Sequence, residues 1–206
     1  MTGKYPARTK SPGPGSQLKS SEYTIAEALK DNGYSTFIAG KWHLSRGNSG
    51  SSPEAQGFDQ NYGGGDSGVP KSYFYPYNIQ TRGRGNENAP DITKLPEVEK
   101  GYHLTDQLTD LTLDWIDRNY VSKKSKKPFF IYLSHYEVHT PFEGKLDLEE
   151  KYKAKPFNEV TTLTLFVLIM SSSFSNSHEA VHISDPLLID CPTVLIILIG
   201  INGSSP

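Results

Sequence analysis

Little in this chain gives away a compartment or a class of partner. Its 206 residues hold one cysteine, Cys191, so no disulfide can form within the chain and the redox compartment is not legible. No apolar run approaches the ~18 residues of a membrane span. The longest, residues 163–170 and 194–201, are kept from merging with their neighbours by Asp185, Asp190 and Pro192. The opening Met-Thr-Gly-Lys-Tyr-Pro has no apolar core, so no signal peptide is read there and localisation stays open. A net charge of −2 implies no strongly basic face, which excludes nucleic acid as the expected partner. The sharpest absence is local: no Lys or Arg follows Lys155. Residues 156–206 carry only Glu159, Glu179, Asp185 and Asp190 as charges, among many Ser, Leu, Ile and Val. Two kinds of sequence are joined near Pro156. Residues 1–155 read as a domain, and 156–206 as a tail not expected to fold natively, of the kind a frameshift or translated non-coding sequence gives.

Helix and strand alternate in the domain. Residues 10–21 are rich in Pro, Gly and Ser and predict an exposed loop. Thr24-Ile-Ala-Glu27 is a capping box, after which Ile25 and Leu29 share a face and Gly33 can supply a left-handed C-terminal residue. Residues 35–39 predict a strand. Residues 46–88, with Gly63-Gly64-Gly65 at their middle, show neither helical nor alternating period and read as one long loop. Leu104, Leu108, Leu111 and Trp115 fall at helical spacing, with Thr105 as the cap and Asp110, Asp114 and Asp117 opposite. That stripe is ordinary core packing. Residues 128–134 form a continuous apolar run, the pattern of a strand buried on both faces. Leu148 and Tyr152 mark a further helix over 146–155. The order implies an α/β fold.

Chemistry concentrates at two places. Residues 33–44 read Gly-Tyr-Ser-Thr-Phe-Ile-Ala-Gly-Lys-Trp-His-Leu, which puts Lys41 and His43 just past the carboxyl end of a strand. Side chains two apart on extended backbone face the same side, so an ammonium and an imidazole share one small volume. That pairing suits an anion such as sulfate or phosphate, although an isolated Lys-x-His is more often a solvated loop. The second place is His135-Tyr-Glu-Val-His139-Thr-Pro-Phe142, directly after the other buried strand. The strand before it and Pro141 after it exclude a helix, so the spacing of His135 and His139 does not make a zinc site. His135 is expected to be structural and His139 functional.

The run Gly-Tyr-x-Thr-x-x-x-Gly-Lys-Trp-His resembles the second signature of the sulfatase family. Met1-Thr2-Gly3 looks like the end of the family's first signature, and Gly57-Phe58-Asp59 like the segment that follows the second. Residues 73–77 and 129–142 resemble the arylsulfatase A and N-acetylgalactosamine-6-sulfatase type. The resemblance implies part of an alkaline-phosphatase-like α/β sandwich with a mostly parallel central sheet. It implies hydrolysis of a sulfate ester, of a small molecule or a sulfated carbohydrate, with calcium and formylglycine as cofactors of the intact family. Intact relatives are commonly secreted, periplasmic or lysosomal. By match of position, Lys41 contacts formylglycine and sulfate oxygens, and His43 bonds the hydrated aldehyde. His139 binds sulfate and protonates the leaving oxygen.

The chain also departs from that pattern. The nucleophile motif Cys/Ser-x-Pro-x-Arg is expected just before Met1 and does not occur, and Cys191 is followed by Pro-Thr-Val-Leu instead. The Asp-Asp and Asp-Asn-Gly metal segments and a further sulfate-binding lysine are missing, and Ser45 stands where the family commonly has glycine. No nucleophile or metal ligand is therefore assigned, and this chain is expected to be inactive. Two other readings remain: a phosphodiesterase or phosphonate hydrolase of the same superfamily, and a non-catalytic remnant that binds anions or a partner.

Overall fold

The computed structural model describes residues 1–11, 13, 16–47, 50–79, 88–123, 126–137, 139–153 and 195–200. A four-stranded sheet in the order β2-β1-β3-β4 carries helices on both faces. The strands are β1 (Ser35–Gly40), β2 (Gln60–Tyr62), β3 (Phe129–Ser134) and β4 (Leu195–Gly200). β1 runs parallel to both β2 and β3, while β4 runs antiparallel along the outer side of β3. The sheet is thus mostly parallel, within an α/β architecture. No helix among the described residues is long and apolar enough to cross a membrane.

Alternation along β1 and β3 builds two cores. Phe37 and Ala39 join Ile131 and Leu133 on one face, packed against Leu104, Leu108 and Trp115 of α3 (Leu104–Ile116). Ile38 and Phe130 point the other way, to Ala26 of α2 (Ile25–Asp31), Trp42 and Phe58. Burying a side chain such as Phe37 or Phe130 contributes about 2–3 kcal/mol, and β1 and β3 both bury side chains in each core. Short helices α1 (Pro6–Thr9) and α4 (Leu146–Lys153) flank this framework.

The capping box forms as read: the Thr24 hydroxyl accepts from Glu27 N at 3.1 Å, and the Glu27 carboxylate accepts from Thr24 N at 2.8 Å. Gly33, just past the C-cap Asn32, takes φ +85°. Ile25, however, is an exposed side chain, and Ala26 is the residue of α2 that seals the core. Thr105 is not a cap. α3 starts two residues earlier with His103 at its N-cap, and the buried Thr105 hydroxyl bonds the Glu137 carboxyl instead. The long loop over 46–88 contains a 3-10 turn (Glu54–Gln56) and strand β2. Three residues are too few to show alternation. The register comes from a neighbour: the Asp59 carboxylate accepts from Thr36 N at 3.0 Å, and Asp59 N donates to Thr36 O at 2.9 Å.

Beyond Pro156 the sequence predicts no native element, yet the backbone of β4 pairs with β3 from Phe129↔Gly200 to Ser134↔Leu195. The rest of that tail, including Cys191, lies outside the described residues.

Candidate functional site

Because β1 and β3 are parallel neighbours, their carboxyl ends share one edge of the sheet, and the loops bearing Lys41, His43 and His139 leave from that edge. Gly40 permits the exit. Its φ is +105°, and its missing Cβ would stand 1.9 Å from Ser134 O. Lys41 N donates to that carbonyl at 2.7 Å, and the Ser134 hydroxyl donates back to Lys41 O at 2.5 Å. Trp42 turns the opposite way, into the core, where its indole N–H donates to Ser51 O at 2.8 Å and its ring meets Phe58 edge-on. The buried indole fixes Lys41 and His43 on the outer side.

His43 adopts φ +54°, and its backbone N–H donates to Gly65 O at 2.9 Å. Its ring lies against Gly68, where a Cβ would meet Cε1 at 2.4 Å and Nδ1 at 2.6 Å. The glycine run is therefore a bracket. Asn61 holds Gly64 through paired bonds of 2.9 Å, and the Tyr136 hydroxyl donates to Gly63 O at 2.8 Å. Both histidine-bearing loops are tied to it.

Partial burial, followed by the positive charges of Lys41, Arg46 and His139, holds the His43 imidazole below its ordinary pKa. At neutral pH it is an uncharged ring in a cationic setting, able to accept a proton or a hydrogen bond. Lys41 and His139, both expected from the sequence, thus each act electrostatically on His43, and Arg46 joins them. Arg46 was missed because nothing in its spacing marks it. Its proximity follows from the turn after Leu44, where the Asp66 carboxylate accepts from the Ser45 hydroxyl at 2.7 Å and from Gly47 N. Ser45 is buried, and the same bond gives the departure at that position a structural role.

His135 lies apart from this group. It is fully buried, and burial lowers its pKa to about 4. Beside it, His103 Nε2 meets Glu137 Oε1 at 3.3 Å. Burial raises Glu137 to about 7, so below that pH the contact is not a fixed ion pair. These two groups pull stability in opposite directions. Unfolded His135 takes up a proton near 6.5 and the folded residue only near 4, so its contribution falls as pH drops through that window. Folded Glu137 keeps its proton to about 7 and the unfolded residue loses it near 4.5, so its contribution falls as pH rises. Each amounts to roughly 3 kcal/mol. The wild-type stability is expected to vary little between pH 4.5 and 6.5, whereas Glu137→Gln rises steeply over that range. Urea unfolding at several pH values measures both slopes; parallel curves would contradict the assignment.

A cleft of about 780 Å³ opens between Phe74, Tyr102, His103, Asp106 and Lys145, but Lys41, His43 and His139 do not line it. Its polar lining includes the Lys145–Asp106 pair at 2.5 Å, whereas at the strand ends the charges of Lys41, Arg46 and His139 all bear on the His43 imidazole. The strand ends are the better site. Among the described residues no cluster of three or more His, Cys, Asp or Glu side chains could hold a metal ion, so they do not by themselves fit the calcium that the resemblance implies.

The Sulfatase family model matches residues 1–185. An arylsulfatase of Hemicentrotus pulcherrimus is 30% identical over 68% of this chain and 27% of its own length. The N-acetylgalactosamine-6-sulfatase of Canis lupus familiaris is 29% identical over 66% of this chain and 24% of its own. The chain thus spans about a quarter of the length of these curated relatives. Among solved structures, that of Ps i-CgsB in complex with k-i-k-neocarrahexaose superposes with a TM-score of 0.57 at 22% identity, over 84% of this chain and 40% of that one. A family match across most of the chain, laid over parallel strands that deliver Lys41 and His43 to one edge, makes this protein a member of the sulfatase family.

Proposed function

We propose that the edge bearing Lys41, His43 and His139 is the sulfate-binding side of a sulfuric ester hydrolase, and that the intact parent cleaves sulfate esters of carbohydrates. One arrangement carries this reading: the exit of β1 at Gly40 and the buried Trp42 hold Lys41 and His43 on the outer side of the same sheet edge from which the His139 loop leaves. Basic side chains brought to one edge suit an anionic group such as sulfate. Lys41 offsets charge growing on the sulfate oxygens. Neutral His43 accepts a hydrogen bond from the attacking group, and His139, half-exposed at the mouth, delivers a proton to the leaving alcohol oxygen. The carbohydrate class rests on relatives such as the canine N-acetylgalactosamine-6-sulfatase. For the chain as it stands, the absence of Cys/Ser-x-Pro-x-Arg from the sequence favours anion binding without turnover.

Inorganic sulfate, titrated into protein carrying ¹³C-labelled histidine, is expected to move the ring resonances of His43 and His139. The expected Kd is on the order of millimolar, weakened about tenfold in Lys41→Ala by loss of one charge-assisted contact. Sulfate that leaves both rings unmoved, or binds Lys41→Ala equally well, would overturn the reading. Inorganic phosphate in the same titration tests the phosphoester alternative, which tighter binding of phosphate would favour.

A further inference from the structure

We propose that Tyr73 and Glu143 form a clamp that positions His139 against His43, a role that builds on the sulfate-binding reading of that edge. The loop after β3 has to project a half-exposed ring accurately, although its own sequence contains no regular element between Ser134 and Leu146. It is held from outside. Glu143, itself buried, turns its carboxylate inward, where Oε2 accepts from the Ser72 hydroxyl at 2.8 Å and from Tyr73 N at 2.7 Å. Tyr73 then reaches back to the same loop, its hydroxyl donating to His139 O at 3.1 Å. The two anchor points lie four residues apart and grip the segment that begins at His139.

The gripping residue is itself immobilised. The Tyr73 ring is fully buried and stacks on His103 at 5.9 Å, and its carbonyl accepts the first N–H of α3, from Leu104, at 2.8 Å. Burial also raises the Tyr73 phenol, so the hydroxyl remains a donor throughout the useful pH range. On the near side, His139 N donates to Tyr136 O at 3.2 Å, while the Tyr136 hydroxyl holds Gly63. His139 is therefore fixed between the glycine bracket that also seats His43 and the Tyr73 hydroxyl.

Stability alone does not account for Glu143. A buried carboxylate loses much of its hydration, and one of its oxygens, Oε1, has no hydrogen-bond partner. An apolar residue packs such a place at lower cost. What the carboxylate adds is direction: two donors on one oxygen set the distance between the 72–73 segment and the His139 loop.

The charge of His139 is felt at His43, so the His43 titration midpoint reports the distance between them. Histidine NMR on the full chain, in wild type, Tyr73→Phe, His139→Gln and the double variant, measures that midpoint. His139→Gln is expected to raise it by removing a positive charge. Tyr73→Phe is expected to raise it in the same direction but less, as the loop drifts outward, and to add nothing in the His139→Gln background. Sulfate affinity falls about threefold in Tyr73→Phe, the scale of one weakened surface charge contact. Glu143→Leu, which removes the acceptor that both donors share, provides a second route and is expected to act like Tyr73→Phe. A His43 midpoint unchanged in both Tyr73→Phe and Glu143→Leu, with only the melting temperature lowered, would make the pair structural and overturn the clamp. A shift that persists without His139 would overturn it too. The midpoint needs no bound sulfate, so a wild type that ignores sulfate refutes the function reading while leaving the clamp measurable.

Discussion

Alanine at Gly40 is expected to leave a chain that no longer unfolds as one cooperative unit. The added methyl carbon meets Ser134 O at 1.9 Å and Ser134 C at 2.7 Å, and both are backbone atoms of the neighbouring strand. No side chain can swing aside to make room. The φ of +105° adds strain that alanine does not tolerate. Relief requires β1 and β3 to separate at the end where Lys41 N and the Ser134 hydroxyl exchange bonds. A cost above about 4 kcal/mol follows, against a total stability of roughly 5–15 kcal/mol for a domain. Gly33→Ala is the control. Its φ is +85° but nothing stands within 4 Å of the new methyl, so only backbone strain of about 1 kcal/mol is expected. Urea denaturation of the two variants separates the effects. Equal losses would mean that close approach, as distinct from dihedral strain, is not what glycine at position 40 provides.

The second large effect concerns turnover. Supplied with calcium and a formylglycine-generating enzyme, the purified chain is expected to hydrolyse a chromogenic aryl sulfate no faster than its Lys41→Ala variant. Lys41, His43 and His139 can stabilise charge and move protons, but none is an oxygen nucleophile directed at sulfur. Loss of the nucleophile from a cooperating set costs about 10⁶-fold in a serine protease, and a comparable loss is expected here. Turnover clearly above the Lys41→Ala control would require another residue to attack sulfur, and the roles assigned to the three side chains would have to be redrawn.

Much of this arrangement was readable before any coordinates, for identifiable reasons. β3 announces itself through its apolar run, because a strand covered on both faces needs apolar residues at nearly every position, and β1 through the short Phe-Ile-Ala core ahead of its motif. The capping box was legible because both of its bonds are local. What stayed hidden depends on contacts remote in sequence. β2 is set by the exchange between Asp59 and Thr36, 23 residues apart. Thr105 surrenders the cap to His103 because Glu137, from another loop, claims its hydroxyl. At the site, Lys41 and His43 followed from their spacing and motif, whereas Arg46 and the ring-bearing face of Gly68 depend on how residues 63–68 fold back over the loop. The Tyr73–Glu143 grip joins positions 70 apart and leaves no periodic trace at all.

The division of the sheet into two faces has a spectroscopic consequence. Trp42 and Trp115 are the chain's two tryptophans, and each is buried in a different core. Trp42 sits in the chain between Lys41 and His43 and packs beside Phe58; Trp115 contacts Phe37, Tyr120 and Phe129 on the other face of the sheet. Single-tryptophan versions of the chain therefore carry one emission probe per layer. Quenching at Trp42 follows ligand entry at the strand ends, while Trp115 stays silent until the α3 layer loosens. Comparing the two during denaturation resolves whether the layers part together or in sequence.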